Sequence, residues 1–295
     1  MNLNLDCVAC ILRRNLQEAG KHGDERSRMA FARSLMKLLL EADEETASPL
    51  IGAETAKLYQ SCFGMDPDRF REEKVFSNRF VLERLDAAEA AVRRAEDPVL
   101  RGLQYAILGN YIDFSALWGK VDFSQLDELL ARAGEVRVDP EEYGRFLADL
   151  AGAKRLVYLT DNAGEVCFDR LLGEALARQY PELEVIFCVR GAPALNDATR
   201  EDAEAAGLTQ RFRVIDNGTA IAGTVLDRVG PEAREALRTA DLILSKGQGN
   251  VETLEGCGLN VYYAFLAKCV RFTKRFGVPE LTVMFCNERR MPHQD

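Results

Sequence analysis

From residue 155 onward, short apolar runs alternate with stretches of helical period. The runs fall at 155–160, 184–189, 211–215, 241–245 and 281–286. Helical spacing fills 165–179, 199–206, 219–229 and 260–276. A chain that alternates in this way predicts an α/β fold: a mostly parallel, doubly wound sheet with helices on both faces. The first run, Leu156-Val157-Tyr158-Leu159-Thr160, leads straight into Asp161-Asn162-Ala163-Gly164-Glu165. Ligands of open α/β sheets bind just beyond the carboxyl ends of the strands. Polar residues at that point are therefore the first place to look for chemistry.

The chain before residue 150 has a different character. Helical spacing covers 6–20, 24–42, 79–96, 98–109, 124–133 and 140–151, while Pro49, Gly64 and Pro67 interrupt 43–78. The reading is a helical region, 1–150, packed as one body on a Rossmann-like α/β region, 151–295. There is no low-complexity segment and no internal repeat.

The formal net charge of −9 argues against a nucleic-acid partner. Met1–Asp6 lacks the basic start of a signal peptide, and no apolar run is long enough to span a membrane. A cytoplasmic protein is expected. Its eight cysteines are scattered, which suits reduced thiols better than a disulfide scaffold. The only histidines are His22 and His293, so a His-rich metal site or a Ser-His-Asp triad is not expected.

Three of the apolar runs end in polar clusters, and a parallel sheet brings those ends to one edge. Asp161, Asn162 and Asp197 make an oxygen-donor set suited to Mg²⁺ or Mn²⁺. Asp161 and Asp197 are each equally placed to cap the helix that follows. Lys246-Gly247-Gln248-Gly249-Asn250 has the glycines and the cation of an anion-reading loop, though not the Walker pattern. It also suits a purely structural strand-to-helix turn. Arg190 ends the second run at the same edge. In the helical half, Asn110 and Asp113 are three apart and would share a helix face. They suit either the substrate side or a helix end. Cys7-x-x-Cys10 at a helix start suits redox chemistry, metal binding or simple packing. Cys167, Cys188 and Cys286 read as core, and Trp118 with Phe114 and Phe123 reads as packing.

Taken in order, these clusters resemble the damage-control phosphatase family, once a domain of unknown function and related in fold to acidic-residue-methyltransferase-like proteins. The matching stretches are Cys7–Cys10, Gly109–Phe114, Thr160–Glu165, Arg190–Thr199, Lys246–Glu252 and Tyr263–Cys269. The Cys-x-x-Cys resembles the mainly prokaryotic branch. The resemblance implies a metal-dependent phosphatase acting on small phosphorylated metabolites, such as sugar phosphates or damaged phospho-metabolites. It implies Mn²⁺, Co²⁺, Ni²⁺ or Mg²⁺ on Asp161, Asn162 and Asp197, with phosphate on Lys246. Asn110, Asp113, Glu165, Arg190, Gly247, Gly249 and Asn250 would stand on the substrate side. Glu165, at the start of a helix, would be a supporting carboxylate rather than a ligand. Direct water attack is the favoured mechanism, with Asp161 as nucleophile the other route.

Two other readings remain at this stage. An S-adenosylmethionine-dependent carboxyl methyltransferase would need a glycine-rich first turn, and only Gly164 is there. A non-catalytic metal- and metabolite-binding protein would share the same donors.

Overall fold

The computed structural model describes residues 1–43, 45–113 and 121–291. The helical half comprises α1 (Leu5–Ala19), α2 (Glu25–Glu41), α3 (Ser48–Phe63), α4 (Arg71–Leu82), α5 (Leu85–Arg94), α6 (Pro98–Gly109), α7 (Phe123–Ala131) and α8 (Pro140–Gly152). The α/β half follows as β1 (Arg155–Leu159), α9 (Glu165–Gln179), β2 (Glu184–Val189), α10 (Arg200–Ala205), β3 (Arg213–Asp216) and α11 (Pro231–Thr239). It ends with β4 (Leu242–Lys246), α12 (Gln248–Leu254), β5 (Val261–Ala267), α13 (Val270–Phe276) and β6 (Thr282–Asn287).

The sheet order is β3-β2-β1-β4-β5-β6. Every pairing is parallel except β5 with β6, which is antiparallel. The order reverses between β1 and β4, the switch point at which a crevice opens beyond the strand ends.

Alternate residues of the central strands feed two cores, as expected for strands covered on both sides. Leu156 and Tyr158 pack with Leu103, Ile107, Phe168 and Leu172, so α6 and α9 share one face of the sheet. Val157 and Leu159 pack on the other face with Ala233, Leu237, Val251 and Phe272. Close approach of α6 to α9 depends on small residues. A Cβ on Gly102 would come within 2.9 Å of the Leu172 Cα, and one on Gly109 within 2.9 Å of the Phe168 ring. A third cluster, around Phe31, Leu35 and Tyr59, holds the N-terminal helices together.

Several boundaries differ from the sequence expectation. The helix expected at 260–276 is a strand, β5, followed by the short α13. Val261-Tyr-Tyr-Ala-Phe-Leu-Ala267 is buried along its whole length, and an unbroken apolar run has no period to tell strand from helix. The helix expected at 219–229 is a loop; the helix lies at 231–239 and begins on Pro231, which occupies its first turn. Asn217 organises that loop, its side-chain oxygen accepting from the backbone N–H of Thr219 and Gly191. The expected 79–96 helix is two helices, α4 and α5. Pro49 and Gly64 bound α3 instead of breaking the segment, as a first-turn proline and a left-handed C-cap.

All eight cysteines are free thiols. Among the described residues no helix is long and apolar enough to cross a membrane. Phe114, Trp118 and His293 lie outside the described residues; Phe123 packs against Phe76 and Phe80.

Candidate functional site

The turn after β1 and the loop after β2 are joined by backbone. Asn162 and Asp197 form an isolated antiparallel bridge. The Ala198 N–H donates to the Asp161 carbonyl at 2.7 Å, and the Ala163 N–H to the Asn196 carbonyl at 2.9 Å. Leu195 sits at φ 53, a left-handed conformation uncommon for a branched residue, immediately before Asn196-Asp197. These constraints place the Asp161 and Asp197 carboxylates on either side of one buried guanidinium.

That guanidinium is Arg190, at the end of β2. Its Nε donates to Asp197 Oδ2 at 2.6 Å, and its Nη2 lies 3.8 Å from Asp161 Oδ1. Nη1 donates to Asn250 Oδ1 at 3.2 Å. Nη2 is buried with no hydrogen-bond partner among the described residues. Asp161 has its pKa raised well above the usual carboxylate range, by burial first and then by the Asp197 and Glu165 charges. Burial pushes Asp197 up to about 6, although Arg190 pulls it down. Two buried carboxylates whose ionisation is disfavoured this strongly suit a site that receives further positive charge.

The residues present fit a hard divalent ion on that ground. Asp161 and Asp197 supply anionic oxygens. Asn162 Oδ1 accepts from Asn196 Nδ2 at 2.9 Å and keeps a second lone pair. Among the described residues no cluster of three or more His, Cys, Asp or Glu side chains is arranged to hold a metal ion. The expected set has two carboxylates, with an amide as its third member. The same observation leaves Cys7-x-x-Cys10 without the partners of a closed zinc site. Cys7 Sγ instead accepts from Arg271 Nη1 at 3.4 Å.

Beneath Asp161 lies a second layer. Asn110 Nδ2 donates to Asp161 Oδ2 at 2.9 Å and to both Glu165 oxygens, at 3.2 and 3.0 Å. Asn162 Nδ2 bridges the same two groups, at 2.7 Å to Asp161 Oδ2 and 2.8 Å to Glu165 Oε2. Glu165 opens α9 and is fully buried beneath Asp161.

Lys246 departs from the expected direction. Its ammonium turns away from Asp161 and donates to Glu165 Oε1, to Asp169 Oδ1 at 3.0 Å and to the Ala106 carbonyl at 2.8 Å. Burial works against the Lys246 charge, but Asp169 and Glu165 outweigh it and its pKa is raised. Asp169 is itself pushed up to about 7 by burial, against the pull of Lys246.

The glycines of the loop serve close packing. Gly247 sits at φ 77, and a Cβ there would fall 2.0 Å from Asp161 Oδ2. A Cβ on Gly249 would meet the Ala222 carbonyl at 2.1 Å, so Gly249 faces the 217–230 loop. Asn250 ties the two strand ends together by donating to the Thr160 and Lys246 carbonyls at 3.2 and 2.8 Å.

Four groups were assigned no role from the sequence. Lys268, just after β5, donates to the Asn110 carbonyl at 2.6 Å and to Asp113 Oδ2 at 2.7 Å, fixing half-buried Asp113 at the rim. Its charge also acts on Asp161. Had 261–267 been read as a strand, Lys268 would have stood at the same edge. Asp169 is one turn into α9 from Glu165, on the same face. Asn196 adjoins Asp197. Asn78, in α4, accepts from the Gly164 N–H at 2.6 Å, and nothing in its local sequence signals that contact.

Comparison with known proteins agrees with this architecture. The family model described as the damage-control phosphatase ARMT1-like domain matches residues 3–282. The protein MJ0202 of Methanocaldococcus jannaschii is 31% identical, over 92% of this chain and 91% of its own. Damage-control phosphatase PH1575 of Pyrococcus horikoshii is 30% identical, over 95% of this chain and 96% of its own. A crystal structure of that DUF89 family protein aligns with a TM-score of 0.81 at 29% identity, covering 98% of this chain and 99% of the other. An Archaeoglobus fulgidus damage-control phosphatase is 29% identical, over 94% of this chain and 96% of its own. This chain belongs to the damage-control phosphatase ARMT1-like family.

Proposed function

We propose that the protein is a divalent-metal-dependent phosphatase that hydrolyses phosphate monoesters of small metabolites, damaged phospho-metabolites and sugar phosphates among them. The observation that carries this reading is the pair of buried carboxylates, Asp161 and Asp197, on either side of Arg190. Two relatives called damage-control phosphatases support the phosphatase part of this reading.

Asp161, Asp197 and the amide oxygen of Asn162 would hold the ion, with Mn²⁺, Co²⁺, Ni²⁺ and Mg²⁺ as the ions to try. When bound, it supplies charge against phosphoryl oxygens and lowers the pKa of a coordinated water. Arg190 offers Nη2, which has no hydrogen-bond partner among the described residues, to an equatorial phosphoryl oxygen, where charge-assisted donors count most. Lys268 adds a second cation beside Asp161 and holds Asp113 at the substrate side. Gly247 leaves Asp161 room to stand against the backbone. Water attack is favoured over an aspartyl-phosphate because Asp161 already accepts from Asn110 and Asn162 and would also hold the ion.

A panel of phosphate esters assayed with each metal tests the proposal. Turnover that requires a metal and is lost in Asp161→Ala with the fold retained supports it. No turnover of any ester with any metal, alongside a thermal shift on S-adenosylmethionine, would favour the methyltransferase instead.

A further inference from the structure

We infer that Lys246 is a positioning residue that acts through Glu165 on the metal-binding amide of Asn162 and on its neighbour Asn110, and not the group that reads the phosphate. The inference rests on the phosphatase reading above and changes the division of labour within it.

An ammonium has three N–H donors. Those of Lys246 are matched by three protein acceptors: Glu165 Oε1, Asp169 Oδ1 and the Ala106 carbonyl. The side chain is fully buried, as are those of Glu165 and Asp169. A phosphate oxygen could reach this ammonium only by displacing one of these partners. Displacement would leave a carboxylate or a carbonyl unpaired inside the protein, which is costly.

The arrangement beyond Glu165 gives the lysine its effect. Glu165 Oε2 accepts from Asn162 Nδ2 at 2.8 Å and Asn110 Nδ2 at 3.0 Å, and also from the Asn162 N–H at 3.3 Å. A carboxylate accepts only, so it holds both amides with their NH₂ groups inward. The Asn162 oxygen thereby faces away from Glu165 and towards Asn196 Nδ2, and both NH₂ groups meet Asp161 Oδ2. The Asn110 oxygen is held as well, accepting from the Leu266 N–H at 3.1 Å. Lys246 balances the Glu165 charge that sets these orientations. Asp169, fixed by the Tyr158 hydroxyl at 2.7 Å, holds the ammonium from its other side. Residues that orient metal ligands in this way typically change metal affinity by about 10- to 100-fold when removed.

The test uses the full chain with Mn²⁺ and inorganic phosphate as probes. Glu165→Gln keeps the shape of the side chain and is the primary variant; Lys246→Met is the second. Mn²⁺ affinity is measured by titration calorimetry, and phosphate by its inhibition of p-nitrophenyl phosphate turnover. The expected result is Mn²⁺ binding weakened by about tenfold or more in both variants. With Mn²⁺ saturating, kcat falls while KM and the phosphate inhibition constant stay within about twofold of wild type. Wild-type Mn²⁺ affinity in Glu165→Gln would overturn the inference even if Lys246→Met fails to fold. So would a Lys246→Met protein whose Mn²⁺ affinity is unchanged and whose KM and phosphate inhibition constant rise. A wild-type chain that binds no Mn²⁺ would reject the metal reading itself, a result visible before any variant is compared.

Discussion

Gly247 carries the sharpest residue-scale consequence. It combines a left-handed φ of 77 with a backbone pressed against Asp161. Gly247→Ala should lose activity by about 100-fold or more, since misplacing a reacting group by about 1 Å costs that much. Near-wild-type turnover in this variant would mean that Asp161 is free to move without loss. Asp197 carries a pH consequence. Its pKa in the folded chain is about 6 against an ordinary 3.8, so the folded state holds its proton longer than the unfolded chain does. Without metal, unfolding free energy should therefore fall as pH rises from about 4 to 6, by up to about 3 kcal/mol from this group. Asp197→Asn should remove that fall, as urea titrations across the window in chelator would reveal. Identical pH profiles for the two proteins would refute the burial argument. The aspartates were legible in sequence because Asp161 comes just after an apolar run and Asp197 lies in the polar cluster beyond the next one. The direction of Lys246 was not, because its partners Glu165 and Asp169 lie 81 and 77 residues earlier. Only the packing of α9 on the sheet brings them together.

At the scale of elements, the site turn depends on a helix that the sequence left broken. Asn78 in α4 accepts from the Gly164 N–H at 2.6 Å and donates to Asp202 at the start of α10 at 2.8 Å. Lys74, one turn earlier, pairs with the same Asp202 at 3.0 Å. Asn78→Ala leaves a buried N–H and a buried carboxylate oxygen short of partners. It should cost about 1–3 kcal/mol of stability in urea unfolding. A loss below 0.5 kcal/mol, roughly the noise of a surface change, would mean that the turn stands without α4. The alternation of strand and helix was readable wherever turn residues separated the elements. It failed at β5, whose seven buried residues offered no period, and at 219–229, where Asn217 builds a loop through side-chain bonds. The strand missed there also hid Lys268. Pro49 and Gly64 misled for a different reason, since each marks an end of α3 as readily as an interruption.

At the scale of the whole molecule, one core joins the helical residues Val99, Leu103 and Ile107 to the sheet residues Leu156, Tyr158 and Tyr262. Asn110 and Lys268 extend the junction into the site. Calorimetry should therefore give a single cooperative transition, and a 151–295 fragment should not fold alone. Two separated transitions would show that the halves are independent. Gly102→Val should lower the transition of the whole chain, because the added side chain strikes the α9 backbone. Under the proposed function, Asp161 and Asp197 hold one divalent ion that hydrolysis requires. Its most direct test is a titration of Mn²⁺ into chelator-stripped protein, with binding and p-nitrophenyl phosphate turnover followed together. Turnover should be absent at the start and rise with occupancy of one ion per chain, and Asp161→Asn should bind at least tenfold more weakly. Full turnover of the stripped protein in excess chelator would contradict it.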